Sequence, residues 1–419
     1  MDDGGTVTRE DSPGPQIASP PVQLPDDLIY YGILPRLAFR VLLRFAVVCK
    51  AWSQLILRDP AFARAQARCP SPATAVLARF HRGRFEVLTP GAVAAAVAPP
   101  DASLSFLPVG GARLRLCSAT SGILCLVVNL VSGGAGFFVV NPATRAFRAV
   151  RYAGDDGFRA CLAYDPSTAH RDGFHIVVPV KEKWDLWRFW SFSSSGGGRR
   201  VSGAEVRLTP YDVLLPKPLY LGGRAHWLCD RGGVVWYDAR ADAAGELPTP
   251  PSSLLAGEGG GGVQRREGNR ELVAWHGRIG IVSAGFASGL AVWALSSSSS
   301  PARWEMVHSR SWDEIPGVVR LSSRFLWSVV PAGIEGGGEE ALGLAVRIAH
   351  RARPHAQQQG VGSAGDSGEE EAADVWRRQV LRYDMRTGGT ATVAELVGKE
   401  IHDDFGAVFG YHSSMAPLN

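Results

Sequence analysis

The sequence predicts an α + β chain in two parts, with helices near the N-terminus and an all-β domain after them. Apolar residues recur at helical spacing from Leu24 to about Cys69. After about residue 73, short apolar runs alternate with clusters of Gly, Pro, Asp and Ser, which is typical of strands joined by tight turns. Because long helical patterns are missing between these runs, a parallel α/β sheet is not expected. We therefore divide the chain into a leader at 1–22 predicted to be disordered, a helical segment at 23–70 and a β domain at 75–419.

The helical segment is predicted from four short stretches. Asp26 and Asp27 stand where a first helix begins, and we expect their carboxylates to accept its free N–H groups. A second helix is expected around 42–47 and a third around 49–56, and Asp59 before a proline marks the start of a fourth. Such short helices cannot bury all of these apolar side chains among themselves. Part of their surface is therefore expected to meet another protein or the following domain.

A weak internal repeat indicates the architecture of the β domain. Segments such as GILCL…FFVVNPATRAFRAV and GGRAHWLCDRGGVVWYDARADAAGEL share an order of Gly, apolar strands, an aromatic residue, and Asn or Asp before a turn. They recur about every 40–50 residues, the period of a four-stranded propeller blade, which predicts a propeller-like domain of about six blades. Eleven of the 12 tryptophans lie in this part, and we expect them to pack between blades. Loop inserts are predicted near 193–200, 257–262 and 356–374.

Composition argues against several classes of function. The 419 residues carry 44 basic and 40 acidic side chains, and a net charge of +4 is too small to indicate nucleic-acid binding. No apolar run reaches the roughly 18 residues of a transmembrane helix. The N-terminus lacks the pattern of a signal or transit peptide, so we expect the chain in the cytoplasm, the nucleus or both. Six cysteines without a C-x-x-C pair predict buried, reduced thiols.

The β domain shows no catalytic motif. Two G-x-G-x-x-G matches, at 257–262 and 360–365, lie in low-complexity stretches without the strand and helix that a dinucleotide site needs. His226 and His276 stand beside tryptophans in predicted strands, and we interpret both as satisfied sheet residues. Asn141 and Asp165 are expected to cap turns at one place in the repeat. We predict no catalytic residue, no metal ligand and no cofactor.

The helical segment resembles the F-box, a short module that docks on a Skp-type adaptor. The resemblance rests on LPDDL, ILPRL, LLRF, VCKAW and DPAF, in this order. Between the first two motifs the chain has one residue more than the usual spacing, Gly32 stands where an acid is common, and LAFRVLL lacks the usual proline. The β domain resembles, more loosely, the F-box-associated, kelch-like β-propeller domain of plant F-box proteins. That second resemblance covers most of the remaining chain and includes LAYDPSTAHRDGFHIV and WHGRIGIV…LAVWAL…RWEMV.

The resemblance implies a non-catalytic substrate-recognition subunit of an SCF-type (Skp–cullin–F-box) ubiquitin ligase. It implies that the F-box docks on the Skp adaptor, and through it on a cullin scaffold, while the propeller holds a target protein. Neither nucleic acid nor a membrane is expected as a partner. Trp52 is the largest apolar anchor of the expected interface. The residues expected to form or support the docking face are Leu24, Pro25, Leu28, Ile33, Leu34, Leu42, Leu43, Val48, Cys49, Trp52 and Ile56.

Two other interpretations stay open from the sequence alone. A β-propeller enzyme, such as an oxidase or glycosidase, would need clustered carboxylates, metal ligands or a Tyr/Cys pair on one face, and none stands out. An F-box adaptor with a non-degradative role shares every sequence feature of a ligase receptor. The target and the propeller face that binds it follow no general sequence code.

The acidic insert at 356–374 carries a prediction of its own. Its sequence, AQQQGVGSAGDSGEEEAAD, cannot bury enough apolar area to offset the entropy lost on ordering. We expect limited proteolysis of the free protein to cut here first, and deletion of the insert to leave adaptor binding unchanged. Protease resistance of 356–374, together with misfolding of the deletion variant, is the result that contradicts this expectation.

Overall fold

The computed structural model describes the chain in ranges separated by gaps. These ranges are 24–69, 75–79, 85–88, 101, 103–108, 113–129, 135–168, 173–196, 198–210, 212–251, 269–285, 289–296, 302–315, 329–333, 341–350, 375–398, 409–411 and 414–418. The leader at 1–22, the predicted inserts at 257–262 and 356–374, and both G-x-G-x-x-G stretches lie outside them.

The N-terminal segment contains three α-helices that follow a short π-helix and a 3₁₀ turn. The chain is π-helical at Leu28–Ile33 and 3₁₀-helical at Leu34–Arg36. The α-helices are α1 (Phe39–Phe45), α2 (Lys50–Arg58) and α3 (Pro60–Arg68). Asp59 caps α3 as the sequence predicts, because its Oδ1 accepts the N–H groups of Ala61 at 2.7 Å and Phe62 at 3.4 Å.

The first helical turns differ from the expectation at one point. Asp27 makes no side-chain capping bond, and the N–H groups of Leu28 and Ile29 instead donate to the carbonyl oxygen of Pro25 at 3.0 and 3.2 Å. The π-helix Leu28–Ile33 coincides with the place where the chain has its extra residue. A wider helical turn takes up one additional residue without breaking the helix. The extra residue between the LPDDL and ILPRL motifs therefore appears in the structure as a change of helical pitch.

The described residues of the β domain form six antiparallel sheets. Sheet 1 contains β3 (Arg113–Thr120), β4 (Ile123–Asn129), β5 (Ala135–Asn141) and β6 (Ala146–Tyr152). Sheet 2 contains β7 (Cys161–Tyr164), β8 (Phe174–Lys181), β9 (Leu186–Ser193) and β10 (Gly198–Arg207). Sheet 3 contains β11 (Leu219–Leu221), β12 (Arg224–Leu228), β13 (Val234–Asp238) and β14 (Ala243–Glu246).

The remaining sheets continue this order. Sheet 4 contains β15 (Asn269–Trp275), β16 (Arg278–Gly285), β17 (Gly289–Leu295) and β18 (Trp304–Arg310). Sheet 5 contains β19 (Val329–Gly333), β20 (Ala341–His350), β21 (Val375–Asp384) and β22 (Thr390–Gly398). Sheet 6 joins the two ends of the domain, since β23 (Phe409–Tyr411) pairs with β1 (Ala75–Arg79), which pairs with β2 (Phe85–Leu88).

The sheets follow one another around a ring. In sheets 1 to 5 the strands pair in chain order, each with its neighbour. The first strands of sheets 1 to 5 are in contact in chain order, namely β3, β7, β11, β15 and β19. β23 of sheet 6 contacts both β19 and β3, which closes the ring. A succession of antiparallel meanders whose inner strands meet in this way is a propeller-like arrangement.

Buried side chains fill the spaces between neighbouring sheets. Phe137 and Tyr152 of sheet 1 pack against Trp190 of sheet 2, with ring centroids 6.2 and 4.9 Å from the indole. Trp187 and Trp227 are buried in the cluster between sheets 2 and 3. These contacts confirm the expected packing role for the buried tryptophans.

The structure corrects two local predictions about loops and strands. The stretch 193–200 is not a loop throughout, because β9 ends at Ser193 and β10 begins at Gly198, so that only 194–197 connect the two strands. His276 lies with Gly277 in the turn between β15 and β16, at φ values of +46° and +71°, and not in a strand. Two consecutive residues with positive φ suit a tight hairpin, whose twist matches that of its strands.

The turn-capping residues also occupy different places in the repeat. Asn141 ends the third strand of its sheet, whereas Asp165 follows the first strand of the next one. The counterparts of Asn141 are Asp238 and Asp384, which end the third strands of sheets 3 and 5. Each of the three accepts the backbone N–H groups of the residues two and three positions ahead. The repeat is therefore real, but its register differs from the one expected.

The cysteines divide into two groups. All six are free thiols. Cys117, Cys125, Cys161 and Cys229 are buried in the β domain, as expected. Cys49 is exposed and Cys69 is half-buried, which the expectation of buried thiols did not include.

Candidate protein-interaction surfaces

A small core holds the helical segment together. Leu34, Phe39, Leu42, Ile56 and Phe62 are all buried in it. Three of the residues expected to form or support the docking face, Leu34, Leu42 and Ile56, belong to this core. Because these three side chains are buried, they can support a docking face by internal packing but do not contact a partner themselves.

The helical segment carries most of the exposed large apolar side chains in the part of the chain that the structure describes. Seven of the 11 exposed large apolar residues found there fall between positions 24 and 57. We call these seven the exposed apolar set: Leu24, Leu28, Tyr31, Ile33, Val47, Val48 and Leu57. Apolar area of this kind is unfavourable in water and marks interaction sites in folded proteins.

Four members of this set also belong to the predicted docking face, and three do not. Leu24, Leu28, Ile33 and Val48 belong to the predicted docking face, as do the exposed Pro25 and Cys49. Tyr31, Val47 and Leu57 were not singled out. Helical spacing offered a signal for Tyr31, three residues after Leu28, but Val47 is exposed because the chain turns between α1 and α2, which periodicity does not show.

Trp52 lies between core and surface. Its indole is half-buried and packs edge-on against the ring of Phe45, with centroids 5.4 Å apart and an interplanar angle of 70°. The backbone N–H of Trp52 donates to the Sγ of Cys49, the N-cap of α2, at 3.5 Å. Leu43 is also half-buried. Trp52 therefore has an intramolecular partner and leaves part of its ring accessible.

If the helical segment docks on a Skp-type adaptor, as the resemblance implies, Trp52→Ala is expected to bind that adaptor about 10- to 100-fold more weakly, since a large aromatic anchor is lost. Trp52→Phe keeps an aromatic contact with Phe45 and is expected to lose less. Calorimetric titration with a Skp-type adaptor measures both affinities, and thermal unfolding verifies that both variants are folded. If folded Trp52→Ala binds as tightly as the unchanged chain, Trp52 serves only the internal packing of the segment.

The helical segment is fastened to the β domain through the C-terminal residues. The side-chain Oε1 of Gln66 in α3 accepts the N–H of Met415 at 2.7 Å, and Gln66 is buried. Met415 and Ala143 pack into the same cluster as Leu42, while Ala67 packs into the core between sheets 1 and 2. The segment and the β domain therefore share buried contacts.

Asn141 joins this junction to sheet 1. Its Nδ2 donates to the carbonyl oxygens of Ser414 at 3.0 Å and Ala416 at 2.8 Å, while its Oδ1 accepts the N–H groups of Ala143 and Thr144 at 3.0 and 3.3 Å. Asn141 is fully buried, and the four hydrogen bonds satisfy both donors and both acceptor positions of its side-chain amide within the protein. Asp238 and Asp384, as carboxylates, lack the amide donors with which Asn141 binds Ser414 and Ala416.

Alternating strand directions give the ring two faces. The turns after the first and third strands of a sheet lie on one face, which we call the hairpin face. The connections between sheets and the turns after second strands lie on the other, which we call the linker face. Contacts agree with this division: Arg240 donates to Thr168 Oγ1 at 2.8 Å on the hairpin face, and Arg159 Nε donates to the carbonyl oxygen of Leu214 at 2.6 Å on the linker face.

The helical segment lies at the hairpin face of sheet 1. Asn141 and Ala143 belong to the turn after the third strand. Ser414, in the C-terminal residues that hold the segment, donates from Oγ to the carbonyl oxygen of Ser121, in the turn after the first strand, at 2.5 Å. The described contacts of the segment with sheet 1 are thus made from one side of the ring.

A buried ion pair links the inner strands of sheets 3 and 4. Lys217, just before β11, contacts Glu271 in β15, and both side chains are almost fully buried. Burial raises the pKa of Glu271 to about 7 and lowers the pKa of Lys217, while their mutual attraction opposes both shifts. The other carboxylate oxygen of Glu271, Oε2, has no hydrogen-bond partner among the described residues.

This pair predicts a pH dependence of stability. The carboxyl of Glu271 binds its proton more tightly in the folded than in the unfolded chain, so its contribution to stability declines as pH rises from about 4.5 to about 7. The double variant Glu271→Gln, Lys217→Met is expected to lose this decline and to be no less stable than the unchanged chain at neutral pH. Urea unfolding at several pH values measures both effects. The exposed pair Arg207 and Glu205, changed to Met and Gln, is the control, and an equal pH profile in all three proteins contradicts the prediction.

The titratable groups of the described residues show no arrangement for holding a metal ion. No cluster of three or more His, Cys, Asp and Glu side chains with that geometry occurs in these ranges. His226 is buried in β12, and its Nδ1–H donates to the carbonyl oxygen of Leu219 at 3.3 Å. Burial lowers its pKa to about 4, so it is neutral at physiological pH, in agreement with its interpretation as a satisfied sheet residue. Within the same ranges, no helix is long and apolar enough to cross a membrane.

Comparisons with known proteins give no family assignment. No family model and no curated protein match the chain. Among solved structures, a prolyl endopeptidase matches with a TM-score of 0.36 and 14% identity over 90% of this chain, and the match spans 56% of that protein's length. The β-propeller domain of Cps50 (Swd1) from Myceliophteria thermophila matches with a TM-score of 0.35 and 13% identity, over 79% of this chain and 98% of that one. The WD40 domain of SCAP from fission yeast matches with a TM-score of 0.31 and 10% identity, over 78% and 85%. These scores are too low to carry an argument, so the description of the fold rests on the sheet topology alone.

Proposed function

We propose that this chain is the substrate-recognition subunit of an SCF-type ubiquitin ligase of the plant F-box class. In this proposal the three helices are an F-box that docks on a Skp-type adaptor, and the six sheets are the blades of a kelch-like propeller that holds a target protein. The exposed apolar set on the helical segment is the single observation that carries the proposal.

The physical argument is one of uncovered area. Leu28, Tyr31 and Ile33 on the first helix, and Val47 and Val48 on the turn after α1, expose large apolar surfaces that the β domain does not cover. A protein partner gains by burying them, at about 25 cal/mol per Å² of apolar area before the costs of association. Helices that present apolar side chains to a groove are a common form of such recognition.

The function of the chain in this proposal is to bring two molecules together. The adaptor joins the helical segment to a cullin scaffold in the cytoplasm or nucleus, and the propeller raises the effective concentration of a target near the conjugating enzyme. Catalysis resides in other subunits, so the chain needs no active site or cofactor of its own. The buried contacts at Gln66 and Asn141 support this function because they limit the relative motion of the two parts.

The test combines reconstitution with recovery from cells. Purified chain mixed with a Skp-type adaptor is expected to co-elute in size-exclusion chromatography and to bring a cullin into the complex. Affinity purification with and without proteasome inhibition is expected to recover proteins that accumulate only under inhibition. Absence of adaptor co-elution rejects the F-box assignment, whereas adaptor binding with unchanged target levels rejects the degradative role.

A further inference from the structure

The hairpin between β8 and β9 presents an exposed tryptophan. Trp184 is 64% exposed, whereas Trp187 and Trp190, which follow in β9, are buried. Trp184 is also the one tryptophan among the exposed large apolar residues in the ranges that the structure describes. Exposure of an indole ring to water is unfavourable. Tryptophan is also one of the residues that are enriched among those that dominate the binding energy of protein interfaces.

Backbone hydrogen bonds hold this hairpin in one conformation. The N–H of Glu182 donates to the carbonyl oxygen of Leu186 at 3.0 Å, and the N–H of Leu186 donates to that of Lys183 at 3.3 Å. The carbonyl oxygen of Asp185 accepts the N–H of Leu208 at 2.8 Å, which ties the hairpin to the connection between sheets 2 and 3. A partner that binds Trp184 therefore meets a preorganised backbone and loses little entropy in ordering it.

Ion pairs engage the acidic side chains near this hairpin. The guanidinium nitrogens of Arg188 lie 3.3 Å from a carboxylate oxygen of Glu182 and 3.6 Å from one of Glu205. Those of Arg207 lie 3.3 Å from a carboxylate oxygen of Asp185 and 3.5 Å from one of Glu205. All three carboxylates thus have a cationic partner.

Two lysines lie close to Trp184 in the chain, at positions 181 and 183. Lys181 and Lys183 are both exposed, and the Nζ of Lys181 lies 5.6 Å from the ring centroid of Trp187. The hairpin therefore offers an apolar anchor next to two positive charges, and complementary charge favours an acidic partner.

The position of the hairpin separates it from the helical segment. The Trp184 hairpin follows the second strand of sheet 2, and the bond from Leu208 to Asp185 also places it on the linker face. The helical segment meets sheet 1 on the opposite side of the ring, the hairpin face. A molecule bound at Trp184 does not compete with one bound at the exposed apolar set.

We propose that the Trp184 hairpin anchors the target, and that the segment it recognises is an acidic stretch of a protein carrying an exposed apolar side chain. That the bound protein is the target of a ligase rests on the proposed function, whereas the binding surface itself rests on this hairpin alone.

A displayed library of random peptides about 12 residues long, selected on the full-length protein, tests the proposal. Peptides that combine acidic and apolar residues are expected to be enriched, and their affinity is expected to fall about 10- to 100-fold in Trp184→Ala. The double variant Lys181→Glu, Lys183→Glu is expected to select basic peptides instead, and raising the salt concentration is expected to weaken binding to the unchanged chain. Met306→Ala, at a side chain of similar exposure in β18, is the matched control and is expected to change nothing.

The outcomes separate this proposal from the proposed function. Enrichment of the same peptides by the unchanged chain and by Trp184→Ala overturns the anchor, as does enrichment of basic peptides or of none. Retention on vesicles of anionic lipid that requires Trp184, without any Trp184-dependent peptide, also overturns it. Adaptor co-elution is measured on the same variants and is expected to be unchanged, so its loss points to the helical segment or to misfolding and not to this surface.

Discussion

The double variant Leu28→Glu, Val48→Glu is expected to bind a Skp-type adaptor at least about 100-fold more weakly than the unchanged chain. Leu28 and Val48 are 48% and 64% exposed in the free protein, so the glutamates remain in water there and the segment is expected to fold. In the proposed complex the two carboxylates would enter the apolar interface that the exposed apolar set is expected to form. Burying an unpaired charge costs several kcal/mol, more than the loss of the apolar contact itself.

The control for this variant is a pair of equally exposed apolar residues elsewhere. Val201 in β10 and Met306 in β18 are each 56% exposed on the β domain. The double variant Val201→Glu, Met306→Glu carries the same added charge and is expected to bind the adaptor normally. Calorimetric titration of both variants gives the affinities. Binding by Leu28→Glu, Val48→Glu within about threefold of the unchanged chain shows that the exposed apolar set faces something other than the adaptor.

Replacement of Asn141 is expected to have the largest effect on stability. Asn141→Ala leaves two backbone N–H groups and two carbonyl oxygens of the junction without their partner. An unsatisfied buried polar group costs about 1–3 kcal/mol, so we expect the free energy of unfolding to fall by about 3 kcal/mol or more. Urea unfolding followed by circular dichroism measures it.

Two matched variants show which bonds are responsible. Asp384→Ala removes the same turn-capping bonds in sheet 5, where no bond to the C-terminal residues is involved and water replaces the lost acceptor, and we expect a loss of about 1 kcal/mol. Asn141→Asp keeps the acceptor for the turn but places a carboxylate against the carbonyl oxygens of Ser414 and Ala416. It is expected to be destabilised and to show faster amide exchange in α3. Equal losses in Asn141→Ala and Asp384→Ala indicate that the link to the C-terminal residues adds nothing.

Local sequence determined the elements of this protein. Asp59 followed by proline is enough to start α3, because a carboxylate cap and a fixed φ act within a few residues. Alternation of apolar runs with turn residues predicted the meander of strands, since each hairpin forms between neighbours in the chain. The tryptophans expected to pack between sheets, such as Trp187 and Trp227, do so because no other site in a β domain removes so much apolar area from water.

Only the tertiary structure decided which of the apolar helical residues face solvent. The resemblance to the F-box placed Leu42 and Val48 in one docking set, but Leu42 is buried by neighbouring helices and by Met415, while Val48 is left exposed by the turn after α1. The bonds of Asn141 to Ser414 and the ion pair of Lys217 with Glu271 also join residues far apart in the chain. Periodicity and capping act over a few residues, whereas burial at these positions is determined by distant segments of the chain that only folding brings together.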